Sequence, residues 1–243
     1  LELFAKIVPG QASQRPAPPP ALRESGAMNQ SWHHGANGAW PLALIIIGIN
    51  VLVFILQPGP GSLLGTLALW PVGTPDYAFQ NGSPTNVPDF MPWQLISYGF
   101  LHGSPAHLFF NMLALFMFGM PLERVWGRQR FAVYYFTCLI GAGLVQLIVA
   151  SSSGQIYPTV GASGAVFGLL LAFGLMFPNQ IIMLIFPPIP MKAKYFVLIF
   201  GGIELVLGVT GSMPGVAHFA HLGGMLFGFL LLYWWGWRRT RRY

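Results

Sequence analysis

Charge is what this sequence has least of: Asp, Glu, Lys and Arg make up 7% of its 243 residues, against roughly 25% in ordinary soluble domains. Six acidic and twelve basic residues cannot clothe a water-facing surface of this size. Disorder is excluded too, because it needs low hydrophobicity and high charge, whereas 54% of this chain is hydrophobic. Cysteine is almost as scarce. The single Cys138 rules out an intrachain disulfide framework and any cysteine-based zinc or iron–sulfur site, and leaves the redox compartment undecided. No His-Glu-x-x-His segment occurs, so the usual helix of a metal-dependent protease is missing. The net charge of +6 does not point to nucleic acid, since the basic residues sit in short clusters at the ends of apolar runs rather than along a basic, aromatic face. What remains is an integral membrane protein in a lipid bilayer.

Residues 1 to 39 are Pro-rich and polar, with Pro16, Pro18, Pro19 and Pro20 followed by Gln30, Ser31, His33 and His34, and carry no apolar period that builds a core. They read as a flexible tail. No methionine opens the chain, and Met28 lies shortly before the first apolar run, which points to residues 1 to 27 as a fragment or a product of start-site choice. Trp40 to about Gln57 is too long and apolar for a cleaved leader and is expected to be the first transmembrane helix. A long stretch from 58 to 104 follows, studded with Pro and Gly and holding Asp76, Asp89 and the group Phe90, Met91, Pro92, Trp93; parts of it are expected in the membrane interface. Five more apolar runs, near 105–122, 131–151, 161–177, 194–210 and 217–236, are each of about spanning length. The expected fold is an all-α polytopic bundle of six transmembrane helices over residues 40–236, with a long external loop between spans one and two.

Orientation follows from the basic residues, which collect in cytoplasmic loops. Arg124, Arg128 and Arg130 lie between spans two and three, Lys192 and Lys194 between four and five, and Arg238, Arg239, Arg241 and Arg242 in a basic tail at 237–243. Lys6, Arg15 and Arg23 are in the first tail, and the loops at 58–104, 152–160 and 211–216 contain no basic residue. Both tails are therefore expected on the cytoplasmic side.

Polar side chains inside spans are expensive, a mid-helix charge costing about 2.5–3.5 kcal/mol on insertion scales, and need a reason. Span two has His107 and Asn111 on one helical face; span four opens Gly161, Ala162, Ser163, Gly164; span five holds Glu204; span six holds His218 and His221. At a rise of about 1.5 Å per residue, Ser163 and His221 are each about 21 Å from the inner boundary, and His107 and Asn111 about 24 and 18 Å. These four share one layer in the outer half of the bilayer. Gly164 and Gly168 on span four, and Gly224 and Gly228 on span six, form small-xxx-small faces that let backbones approach closely. Packed through those glycines, Ser163 Oγ and a ring nitrogen of His221 come within hydrogen-bond reach, as a nucleophile and its general base require. The helix N-terminus at Ser163, its backbone N–H, and donors from His107 and Asn111 are placed to stabilise a tetrahedral oxyanion. Phe167, one turn after Ser163, is a ring positioned to stack on the imidazole. Asp76 and Asp89 are in the external loop, Glu123 is at the inner boundary, and Glu204 has no assigned depth near the histidine. The expectation is a Ser-His dyad without a third carboxylate.

These residues resemble the rhomboid family of intramembrane serine proteases. The resemblance rests on HGSPAHLFFN from His102 to Asn111, GASGAVFG from Gly161 to Gly168, and AHLGGMLFG from Ala220 to Gly228, in that order on spans two, four and six. It covers about residues 40–236 and leaves residues 1–39 unmatched. It implies that Ser163 is the nucleophile, that His221 is the base, and that His107, Asn111 and the Ser163 N–H line the oxyanion hole, with no metal and no cofactor. It further implies cleavage of single-span membrane proteins in or beside their transmembrane helix, after a small residue. Trp93-Gln94 resembles a loop position where some members carry Trp-Arg, so an arginine-dependent role of that loop is not expected here. A bacterial inner membrane is the expected location.

Taken singly, each residue has a plainer reading. Ser163 is a small packing serine, His221 a satisfied interhelical histidine, His102 and His218 structural or loop-boundary residues, and Glu204 a neutral, hydrogen-bonded packing residue. An aspartyl intramembrane protease needs two membrane aspartates, and both aspartates are in the loop. A transporter or metal site built from His102, His107, His218 and His221 lacks a carboxylate in that layer. The strongest rival is a non-catalytic rhomboid-like protein that binds membrane clients; it predicts loss of the serine or the histidine, and both are present.

Overall fold

The computed structural model describes residues 40–57, 63–73, 77–80, 83–86, 88–153, 157–183, 188–213 and 216–236. Both tails, 1–39 and 237–243, and Asp76 lie outside them. The chain from Pro41 onward forms one compact, mostly helical unit. Its principal helices are α1 (Leu42–Leu56), α4 (Pro105–Ala114), α5 (Met120–Trp126), α6 (Arg128–Ser153), α7 (Ser163–Met176), α8 (Ala193–Thr210) and α9 (His218–Trp234). Two short helices, α2 (Leu63–Leu67) and α3 (Gln94–Ser97), lie between α1 and α4.

A π turn over Leu115–Gly119 joins α4 to α5, so that Pro105–Trp126 is one continuous rod. Pro121 explains the turn: it has no N–H for the carbonyl four residues earlier, and a widened turn just before it absorbs that loss. This rod, Arg128–Ser152 and Ala193–Thr210 are long and apolar enough to cross a membrane, whereas Leu42–Leu56, Ser163–Met176 and His218–Trp234 are apolar but shorter. Each of the six falls on one of the six apolar runs.

The helix that begins at Ser163 is shorter than the run 161–177 led us to expect. Its 14 residues reach only about 21 Å, against a hydrocarbon core of about 30 Å. The segment before it is extended and held by backbone bonds instead. Leu69 and Thr159 exchange N–H···O bonds of 3.0 and 2.9 Å, and Gly161 N donates to Tyr98 O at 2.9 Å. Buried backbone groups need partners, and the chain between α1 and α4 supplies them here.

The described residues are mostly helical, as expected, but they also include two short strand pairs. Strands β1 (Tyr77–Gln80) and β2 (Ser83–Asn86) pair antiparallel with Tyr77 opposite Asn86, and β3 (Ile181–Met183) and β4 (Pro190–Lys192) pair with Ile181 opposite Lys192. Strands of three or four residues are too short for alternation to reveal them in a sequence.

Helix α7 lies at the centre, with Leu169, Ala165 and Ala172 fully buried against α6 and α9. Glycines permit this. A Cβ at Gly224 would collide with the carbonyl of Gly164, one at Gly168 would meet Cys138, and one at Gly228 would meet Tyr134. The four glycines thus serve two contacts, α7 with α9 and both helices with α6. Helix α8 is peripheral, with Leu198, Val206 and Val209 about 70%, 59% and 72% exposed, a surface suited to lipid.

At the opposite end of the rod, α1 has no side-chain cap of its own after Pro41. The carboxylate of Glu123 supplies one, accepting from Leu42 N at 2.7 Å and Ala43 N at 2.9 Å. Two N–H groups that a helix start leaves unpaired are satisfied, and the negative charge sits at the positive end of the helix dipole.

Candidate active site

Ser163 is the first residue of α7, and the backbone just before it takes a form that favours glycine, with φ of 123° at Gly161. A side chain at Gly161 is excluded a second time, since its Cβ would lie 2.7 Å from Cε1 and 2.8 Å from Nε2 of His107. The imidazole of His107 therefore rests on the Gly161 backbone, beside the start of α7. Helix α4 brings it there: Ser104 caps the helix by accepting from His107 N at 3.1 Å, and Pro105 occupies its first position.

Across from α7, α9 presents His221 one turn before Gly224. Its Nε2 lies 2.8 Å from Ser163 Oγ, and its ring stacks on Phe167 with centroids 4.4 Å apart and planes 8° from parallel. Asn111 is buried, and its Nδ2 donates to His107 O at 3.1 Å within α4. Ser163, His221, His107, Asn111 and Phe167, singled out from the sequence, thus line one cavity of about 890 Å³. The rest of its wall is mostly apolar, including Met117, Phe118, Leu170, Phe196 and Phe200, with Tyr157 and Thr159 as further polar members. A few polar groups in a mostly apolar cavity are the usual make-up of a binding site.

One expectation fails at this site. Glu204 does reach the histidine: its Oε2 lies 2.9 Å from His221 Nδ1 and 2.7 Å from His218 Nδ1. The bond to His218 is well formed, while the His221 N–H direction misses the carboxylate oxygen despite the short distance. His218 Nε2 in turn lies 3.2 Å from the carbonyl of Ser212. Counting depth from Lys192 puts Glu204 about 18 Å in, close to the 21 Å estimated for the histidine. The count applied to the other spans would have found it.

The layer therefore has the carboxylate that a metal site seemed to lack, and the three ligand atoms lie within 4.8 Å of one another. Their two short separations, 2.7 and 2.9 Å, suit protons between them. Ligands about 2.1 Å from a tetrahedral zinc stand roughly 3.4 Å apart.

His102 is wholly buried and packs edge-on against His107, with ring centroids 5.0 Å apart. Its backbone is clamped by Gln57, whose side chain accepts from His102 N and donates to His102 O. Burial, with His107 beside it, pushes its pKa down to about 4, so His102 is neutral at physiological pH. Gln94 is also buried, accepting from Trp70 N and Met91 N at 3.2 Å each, and Trp93 Nε1 donates to Thr66 O at 3.1 Å. The Trp-Gln pair ties the segment between α1 and α4 together.

A Rhomboid domain matches residues 89–238. The chain is 38% identical over 139 residues, 57% of its length, to RHOMBOID-like protein 4 of Arabidopsis thaliana. It is 30% identical over 203 residues, 80% of its length, to Rhomboid protein 1, mitochondrial, of Saccharomyces cerevisiae. It is 26% identical over 197 residues, 79% of its length, to Rhomboid protease GluP of Bacillus subtilis. The matches span 33%, 52% and 34% of those proteins respectively.

Proposed function

From the premise that this chain belongs to the rhomboid family, whose members are generally intramembrane serine proteases, we propose that it is a serine endopeptidase that cleaves single-span membrane proteins in or near their transmembrane helix. The observation that carries this reading is the 2.8 Å contact between Ser163 Oγ and His221 Nε2 at the head of an apolar chamber.

Ser163 Oγ attacks the carbonyl carbon of the substrate as its proton passes to His221 Nε2, and the carbonyl electron pair moves onto oxygen. That oxyanion is met by the Ser163 N–H, by His107 and by the second N–H of Asn111, an arrangement that stabilises the transition state more than the ground state. His221 then gives its proton to the departing amine as the C–N bond breaks. Water repeats the sequence on the ester, returning Ser163 to its hydroxyl form. Phe167 holds the imidazole plane throughout. No metal or cofactor takes part.

The six apolar helices are six spans in this reading, with both tails cytoplasmic, the catalytic layer in the outer half of a bacterial inner membrane, and residues 40–236 as the protease domain. The segment from 58 to 104 is then the external loop.

Labelling of the purified protein in proteoliposomes with a fluorophosphonate tests the reading. Wild type is expected to label and to cut a generic single-span substrate, with both signals lost in Ser163→Ala and His221→Ala. Folded wild type that neither labels nor cuts would leave a non-catalytic protein that binds membrane clients.

A further inference from the structure

The general base requires one tautomer of His221, with a proton on Nδ1 and a free lone pair on Nε2 facing Ser163. Packing against Phe167 fixes the plane of the ring but does not choose between its nitrogens. A group at Nδ1 that accepts a hydrogen bond makes that choice. We propose that Glu204 is a positioning residue that holds His221 in its basic tautomer, with His218 as the partner that shares its proton. The inference rests on the protease reading above and deepens it.

The argument begins at the outer end of the cluster. The Ser212 carbonyl only accepts, so the 3.2 Å contact assigns a proton to His218 Nε2. His218 Nδ1 faces Glu204 Oε2 at 2.7 Å, so one proton lies between them. Either His218 is an imidazolium beside a carboxylate, or Glu204 carries the proton and donates it to His218. In both cases Oε2 has no second proton for His221. The Nδ1 of His221, 2.9 Å from the same oxygen, is therefore the donor. Its Nε2 is left as acceptor for the Ser163 hydroxyl.

The same arrangement serves the next step. When Ser163 gives its proton to Nε2, His221 becomes an imidazolium with one proton on each nitrogen, and the carboxylate opposes the new positive charge. If the shared proton sits on Glu204 beforehand, it moves across to His218 at that moment. No proton is gained or lost by the cluster, and the pair stays neutral before the step. The His221 N–H is misdirected in this structure, and catalytic hydrogen bonds often align only once the substrate is bound. A purely structural role would need only the Glu204–His218 bond, which is complete without His221. The side chains of Glu204, His218 and His221 are 12%, 6% and 11% exposed, so water does not compete effectively for these protons.

The titratable groups that face His221 are Glu204 from α8, His218 from its own helix and His107 from α4. Removing the carboxylate takes away the oxygen that faces both Nδ1 atoms.

The test uses the full chain in proteoliposomes with a single-span substrate and compares wild type, Glu204→Gln and Glu204→Asp. Expected in Glu204→Gln is a fall in kcat of at least about tenfold, because the amide can donate to Nδ1 and select the wrong tautomer. KM should change little. Glu204→Asp should recover part of kcat. A kcat within about twofold of wild type in folded Glu204→Gln overturns the proposal, and if that variant does not fold, a wild-type His221 whose Nδ1 carries no proton overturns it. Ring-nitrogen ¹⁵N spectra of His221 decide it independently of turnover. A protonated Nδ1 in wild type that is lost in Glu204→Gln upholds the role, and an unchanged tautomer overturns it. A wild type that neither labels nor cuts defeats the protease reading, and the spectra still decide whether Glu204 orients the histidine.

Discussion

Gly224 packs directly against the backbone carbonyl of Gly164, a contact that no larger residue at position 224 can make. Ser163 precedes Gly164 by one residue and His221 precedes Gly224 by one helical turn. Backbone contact between the glycines therefore fixes the spacing of the two side chains, and their 2.8 Å separation follows from it.

Gly224→Ala is expected to be among the most damaging small substitutions in the chain. The added methyl group meets a carbonyl that belongs to the central helix and cannot rotate away, so overpacking should cost about 1–3 kcal/mol or more. Thermal unfolding in detergent reads the loss of stability. Fluorophosphonate labelling of the fraction that still folds should also fall, because α7 and α9 must separate.

Ser163→Ala is expected to separate chemistry from folding. It removes one oxygen at a tight, small-residue site, and its melting temperature should remain within a few degrees of wild type. Cleavage should drop by at least about 10³-fold, since a catalytic serine and its base act as a unit. A large loss of stability would show that the serine is chiefly a packing residue.

Gly161→Ala combines two penalties, a backbone angle of 123° that side chains disfavour and a collision with the imbedded imidazole of His107. Each is worth about 1–3 kcal/mol. Cleavage should fall further than stability, because the shift displaces His107 and the start of α7 together. Measuring kcat beside the unfolding midpoint distinguishes the two effects.

Glu123→Ala should weaken the fold without touching the chemistry. It leaves the N–H groups of Leu42 and Ala43 without the acceptor they have now, at an expected cost of about 1–3 kcal/mol. The labelling rate of the folded protein should stay at the wild-type value. A slower rate would mean that the seat of α1 is coupled to the cavity.

The apolar runs were legible because six long stretches with little charge have few other uses, and each coincides with an apolar helix of the structure. His107, Asn111, Ser163 and His221 stood out for a related reason: polar groups are costly inside runs apolar enough for lipid. Helix rise alone grouped these four, which line one cavity. The short strand pairs left no periodic signal. The early extended entry to α7 was hidden as well, since Gly161 and its bonds to Tyr98 depend on a partner more than sixty residues away.

What the sequence determined by itself is therefore which segments are apolar, which polar residues interrupt them and how far along its helix each one lies. That position is a property of one helix. Which helix faces which, and through which atom, was decided only by tertiary packing. Glu204 illustrates the difference. Its residue count gave it about the right height, but only the seating of α8 against α9 turned its carboxylate toward both His218 and His221, because side-chain direction depends on the rotation of one helix about its axis relative to the next.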